Sequence, residues 1–139
     1  MRAFVARVGG REGADDVAQE TFLKAWRMAA SYRGEGSYRA WLLRIAWNQY
    51  VGGRRKRREQ SGADDLPERG YTPRADEAID TARALAALDP RERAAALLCF
   101  GYGHSHGEAA EILDMPLGTL KSIVARARAR LVDHLGESA

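Results

Sequence analysis

The sequence predicts an all-α protein built as two small helical modules on a flexible linker. Three observations carry this. Apolar residues recur at helical spacing in both halves of the 139-residue chain. Nowhere do β-branched and polar residues alternate as they would in a strand. Between the halves lies EQSGADDLPERGYTPR, Glu59 to Arg74, with two prolines, two glycines and no apolar period. The expected organisation is a first module at 1–58, a linker at 59–75 and a second module at 76–139.

In the first module, Asp15 or Asp16 starts a helix running to about Ala30, and Asp15, Asp16 and Glu20 suit its positive end. Ala18, Phe22, Ala25 and Ala29, with Trp26 beside them, are expected as its buried stripe. Asp16, Gln19, Glu20 and Leu23 fall on the other side. A turn with two glycines follows, Ser31 to Gly36. Ser37 is placed to cap the next helix, which should turn Tyr38, Trp41, Leu42, Ile45 and Ala46 inward and end near Gly52-Gly53.

In the second module, Asp76 to Leu88 reads as one helix. Asp89-Pro90 opens another through Phe100, with Asp89 as cap and Pro90 at the first helical position. Ser105 and Glu108 have capping-box spacing and open a short helix ending near Leu113. Asp114-Met115-Pro116 turns the chain into a last helix from about Leu117 to Leu135. Leu117, Leu120, Val124, Ala127 and Leu131 are expected inward, and Thr119, Lys121, Ser122, Ala125, Arg126 and Arg130 outward. A short and a long helix joined by a tight turn have helix-turn-helix proportions.

Charge narrows the function. Residues 1–60 carry 13 Lys/Arg against 6 Asp/Glu, a net +7, while 61–76 and 77–139 each carry −2. Arg54, Arg55, Lys56, Arg57 and Arg58 form an unbroken basic run, and Lys121, Arg126, Arg128 and Arg130 cluster with no acid among them. Both suit a polyanion. The single cysteine, Cys99, excludes an internal disulfide and a multi-cysteine zinc site, and fits a reducing cytoplasm. Cys99, His104 and His106 lack standard ligand spacing, so no metal is expected. No apolar run is long enough for membrane insertion. No phosphate loop or nucleophile–base arrangement stands out, so neither a cofactor nor catalysis is expected.

These residues resemble a known family. GHSHGEAAEILDMPLGTLKSIVARARARL, Gly103 to Leu131, is similar to region 4 of the sigma-70 family, extracytoplasmic-function (ECF) group. DDVAQETFLKAW, Asp15 to Trp26, resembles region 2.2, and YRGEGSYRAWLLRIAWN, Tyr32 to Asn48, resembles regions 2.3 and 2.4. The resemblance implies an alternative sigma factor that directs core RNA polymerase to −10 and −35 promoter elements. It assigns Asp16, Gln19, Glu20 and Leu23 to docking on the polymerase β′ coiled coil, with the β flap as a further contact. Tyr32, Arg33, Gly34 and Asn48 fall where the family captures a flipped −10 base, an aromatic face and an amide suiting that task. Arg54 to Arg58 would hold −10 phosphates. Thr119, Lys121, Ser122, Ala125 and Arg126 would read the −35 element. Partners implied are core polymerase, promoter DNA and an anti-sigma factor. Two alternatives stand beside this reading: a sigma-like decoy that binds an anti-sigma factor, and a polymerase-independent helix-turn-helix regulator.

The chain departs from the family in places. Of the family's longer first helix only Met1–Val8 remain, so either the native start lies upstream of Met1 or the protein is a shortened form, and Gly52-Gly53 interrupts the basic helix. His104 replaces an apolar residue, Gly107 lies within a helix, Ala109 is smaller than usual, and Ala125 replaces a larger contacting side chain.

Overall fold

The computed structural model describes residues 1–32, 34, 37–61 and 79–137. The elements are α1 (Arg2–Gly9), α2 (Ala14–Arg27), a short 3-10 turn (Ala29–Ser31), α3 (Tyr38–Ser61), α4 (Ile79–Ala86), α5 (Pro90–Ala96), a π-helical turn (Leu97–Gly101), α6 (His106–Ile112) and α7 (Leu117–Glu137). Among the described residues there is no strand. Arg33 and most of the expected linker lie outside the described residues.

Local signals place several helix starts as expected. Ser37 Oγ accepts from Ala40 N at 3.3 Å, at the start of α3. At α5, Asp89 accepts from the Glu92 amide at 2.8 Å while Glu92 accepts from the Asp89 amide at 3.0 Å, a complete capping box. Ser105 caps α6 through the Glu108 amide at 3.1 Å. Asp114, at φ 54, makes the left-handed turn before α7, a conformation that Asp tolerates better than most side chains.

Five expectations change. The buried positions of α2 are Ala14, Ala18, Thr21 and Ala25, while Phe22, Trp26 and Ala29 face outward. The cause is size: the row of small side chains lets α2 lie close on its neighbours α1 and α3. In α3, Tyr38 is exposed, and Leu43, Ile45, Ala46 and Trp47 are buried. That helix also continues through Gly52-Gly53 to Ser61. Two glycines cost about 1 kcal/mol each relative to alanine, and the Arg/Lys run beyond them favours helix. In α7, Leu117, expected inward, is 44% exposed, and Ile123 joins the buried positions. The helix opened by Asp89 also widens at its end, where Tyr102 N bonds Leu97 O at 2.8 Å in the five-residue π pattern.

The described parts of both modules share one hydrophobic core, running from Phe4, Val8, Leu43 and Trp47 through Leu85, Leu88 and Leu98 to Ile112, Leu120 and Val124. Fully burying each large aliphatic side chain contributes about 1.5–3 kcal/mol. Polar ties reinforce the contact. Buried Arg93 donates to the carbonyls of Leu85 (2.9 Å), Ala86 (3.2 Å) and Leu88 (2.7 Å) at the end of α4, and to Val8 at the end of α1. Helix ends leave such carbonyls without intrahelical partners, and a guanidinium there also suits the negative pole. Arg39 lies over the Tyr102 ring at 5.1 Å, and Arg44 pairs with Asp114 at 3.1 Å.

Candidate functional site

Three outward faces carry the residues singled out by sequence. On α2, Asp16, Gln19, Glu20 and Leu23 are all exposed. Helical geometry joins them to Phe22 and Trp26, which are 59% and 84% exposed. An indole and a phenyl left in water beside a complete core form an apolar patch with an acidic rim. Sequence reasoning assigned both rings to the core. The signal that finds them is the competing row Ala14, Ala18, Thr21, Ala25, which has the same helical spacing.

The second face combines the turn before α3 with α3 itself. Tyr32, Tyr38 and Trp41 form a three-ring cluster, with centroids 5.3 Å apart for Tyr32–Trp41, 5.4 Å for Tyr32–Tyr38 and 5.5 Å for Tyr38–Trp41. Tyr38 joins the candidate site by this contact. Gly34 adopts φ 75 with nothing near the place a Cβ would occupy, so its backbone is open to a close neighbour. Asn48 is exposed two helical turns beyond Trp41, on the same side of α3. The basic run divides in role. Arg55, Lys56 and Arg58 are exposed. Arg54 leans on Tyr50, its Nη1 3.4 Å from the phenol oxygen, and Arg57 is half-buried.

The third face belongs to α7. Thr119, Lys121, Ser122, Ala125 and Arg126 are exposed, as expected. Lys121 and Ala125 border a shallow groove closed by Phe100 and His106. Ser122 returns its hydroxyl to Gly118 O at 3.1 Å, which leaves a small surface at the middle of the face. Arg126 stands on the opposite flank, towards α5, with its Nε 3.3 Å from Glu92 Oε2.

No three His, Cys, Asp or Glu side chains gather into a metal site among the described residues. Cys99 is a half-buried free thiol, and burial pushes its pKa up. His104 Nδ1 lies 3.0 Å from Glu108 Oε2, and this contact holds the exposed Glu108 carboxyl below its usual range. No described helix is long and apolar enough to cross a membrane.

Known proteins share this layout. The Sigma-70 region 2 family model matches residues 1–60, and the Sigma-70, region 4 model matches residues 79–131. The chain therefore belongs to the sigma-70 family of RNA polymerase sigma factors, in its ECF group. It is an alternative sigma factor, a transcription initiation factor that binds core RNA polymerase and directs it to promoter DNA. The ECF RNA polymerase sigma factor SigM of Mycobacterium tuberculosis is 36% identical over 137 residues, covering 95% of this chain and 70% of the relative. EcfG of Rhodopseudomonas palustris is 33% identical over 138 residues, covering 94% of this chain and 76% of the relative. Among solved structures, the sigma factor RpoE of Bartonella quintana, in complex with the anti-sigma factor NepR, matches with a TM-score of 0.81. It is 32% identical and covers 97% of this chain and 89% of its own. CnrH, in complex with the cytosolic domain of CnrY, matches with a TM-score of 0.64 at 26% identity, covering 99% and 82%.

Proposed function

We propose that the three faces divide the work of initiation. The exposed side of α2, with Asp16, Gln19, Glu20, Leu23 and the added Phe22 and Trp26, docks on the β′ coiled coil of core polymerase. Tyr32 and Asn48, with Tyr38 and Trp41 as a stacking wall, receive a base extruded from the −10 element. Arg33 and Gly34, next to Tyr32 in the sequence, assist that capture, and Arg55, Lys56 and Arg58, flanked by Arg54 and Arg57, hold the adjacent phosphates. Thr119, Lys121, Ser122, Ala125 and Arg126 meet the −35 element. Modules at 1–58 and 76–139, joined by a linker at 59–75, carry the two DNA contacts, and polymerase fixes their spacing by opening the core that the halves share in the free chain. The factor performs no chemistry of its own, works in the cytoplasm, and is held in check by an anti-sigma protein, a reading supported by the complex of its structural relative RpoE with the anti-sigma factor NepR.

Strand opening then follows from binding preference. A stacked, hydrogen-bonded base on the aromatic wall and neutralised phosphates stabilise the unpaired strand relative to duplex. The observation that carries this reading is the 84% exposure of Trp26 on an otherwise core-forming helix. An unpartnered indole beside exposed Phe22 and Leu23 is what a docking face presents before its partner arrives.

Pull-down with core polymerase, paired with a promoter-directed transcription assay, tests the division. Phe22→Ala with Trp26→Ala should weaken polymerase association at least tenfold, by about 1.4 kcal/mol or more. Helical content should be unchanged. Retained association in that double variant removes the docking face.

A further inference from the structure

Glu92 is 1% exposed, yet it faces two arginines from the DNA-reading helix. Its Oε1 accepts from the Asp89 amide at 3.0 Å and from Arg130 Nη1 at 2.6 Å. Its Oε2, equally buried, lies 3.3 Å from Arg126 Nε, in charge contact but off the axis of a hydrogen bond. A carboxylate removed from water to this degree is stable only beside compensating charge. Both compensating groups come from the flank of α7.

The contact has a direction. Arg126 meets Glu92 through Nε, the inner nitrogen of its fork, and its side chain remains 62% exposed. A charge contact on the inner-nitrogen side draws the guanidinium towards the carboxylate and leaves its two terminal amino groups on the far side. Those groups make the paired contacts to phosphate or to a base edge. A free arginine on a helix surface must lose its rotamer freedom when it binds, whereas one already oriented loses less.

We propose that Glu92 is a positioning residue for promoter readout: anchored by the cap of α5, its buried carboxylate aims Arg126 from the flank of α7 at the −35 element. Arg130, fastened to the same carboxylate, keeps the second cation close to the DNA backbone. This rests on the assignment of the α7 face to the −35 element made above.

The test uses the full chain with core polymerase and a linear DNA library randomised across both promoter elements, sequenced after transcription. Glu92→Gln is the informative variant. Its amide oxygen still serves the Asp89 amide and Arg130, while the charge and acceptor facing Arg126 are lost. The preference for favoured over disfavoured −35 sequences should fall by about five- to tenfold, with the −10 preference in the same reads unchanged. In an Arg126→Ala background, Glu92→Gln should change nothing further. Arg126→Lys keeps the charge and abolishes the fork, so it should lose −35 preference to a similar degree. That variant decides the matter if Glu92→Gln does not fold.

Unchanged −35 preference in Glu92→Gln overturns the proposal. Equal loss at both elements overturns it too, because general destabilisation would then be the cause. So does full retention by Arg126→Lys. If Arg126→Ala leaves −35 preference intact, Arg126 is no reader, and the assignment fails at that residue. The wild-type preference at −35 and the effect of Lys121→Ala show separately whether the α7 face reads DNA at all.

Discussion

Arg93 is the residue on which most of the fold's polar accounting converges. One buried guanidinium serves four carbonyls, three at the end of α4 and one at the end of α1. Arg93→Ala should destabilise the protein by about 3 kcal/mol or more in urea unfolding, because each carbonyl left without a donor costs about 1–3 kcal/mol, Leu85 O alone keeping the Leu88 amide at 3.2 Å. Arg93→Lys should fall between, since an ammonium lacks the fork that reaches several oxygens at once. A second residue-scale prediction concerns pH. The folded state holds the Glu108 carboxyl low through His104. Its contribution is therefore complete above the unfolded carboxyl value and is lost as pH falls through the folded one. Carboxyl titration followed by NMR should place the Glu108 midpoint below the ordinary range, and His104→Leu should raise it part of the way back, the Ser105 contacts remaining. At this scale the sequence was informative for local contacts: the caps at Ser37, Asp89 and Ser105 form as their spacing foretold. It was silent on contacts such as Glu92–Arg130, 38 residues apart, which depend on how α5 and α7 cross.

Among the elements, α2 and α3 show where periodicity misleads. Both faces of α2 have a helical period, and the wrong one contains the larger apolar residues. Choosing between them needs the distance to α1 and α3, where only small side chains fit. Gly9 marks the same closeness on α1: a Cβ there would run into the Tyr50 ring of α3. Gly9→Ala should cost about 1–3 kcal/mol, seen as a lower thermal midpoint. In α3 the expected stop at Gly52-Gly53 failed because breaker residues weigh less than the good helix formers and packed side chains around them. Gly52 has open space where a Cβ would sit. Gly52→Ala should therefore stabilise the protein, by about 0.5–1 kcal/mol in thermal unfolding. A lowered midpoint would mean that α3 is not helical through that point. The exposed face of α7 was legible residue by residue, since alternation of buried and outward positions over a long helix leaves little choice of register.

For the whole molecule, two modules and their order were readable from the motifs and the proline- and glycine-bearing stretch between them. Their packing was not, because apolar positions reveal that they are buried without saying against what. Phe4 from α1 meets Tyr102 beyond α5 with ring centroids 6.3 Å apart, and Arg44 of α3 reaches Asp114 before α7. With one core shared between the halves, calorimetry should show a single unfolding transition whose van't Hoff and calorimetric enthalpies agree. Two separated transitions would mean that the halves are energetically independent.

The bond from Arg93 to Val8 crosses from the second half of the sequence to the first. A gene cut between residues 61 and 79 and expressed as two pieces would leave each piece with an open seam, parting Phe4 from Tyr102, Arg93 from the Val8 carbonyl and Arg44 from Asp114. Such pieces should be poorly soluble alone and reassemble when mixed, so co-production would rescue what separate production loses.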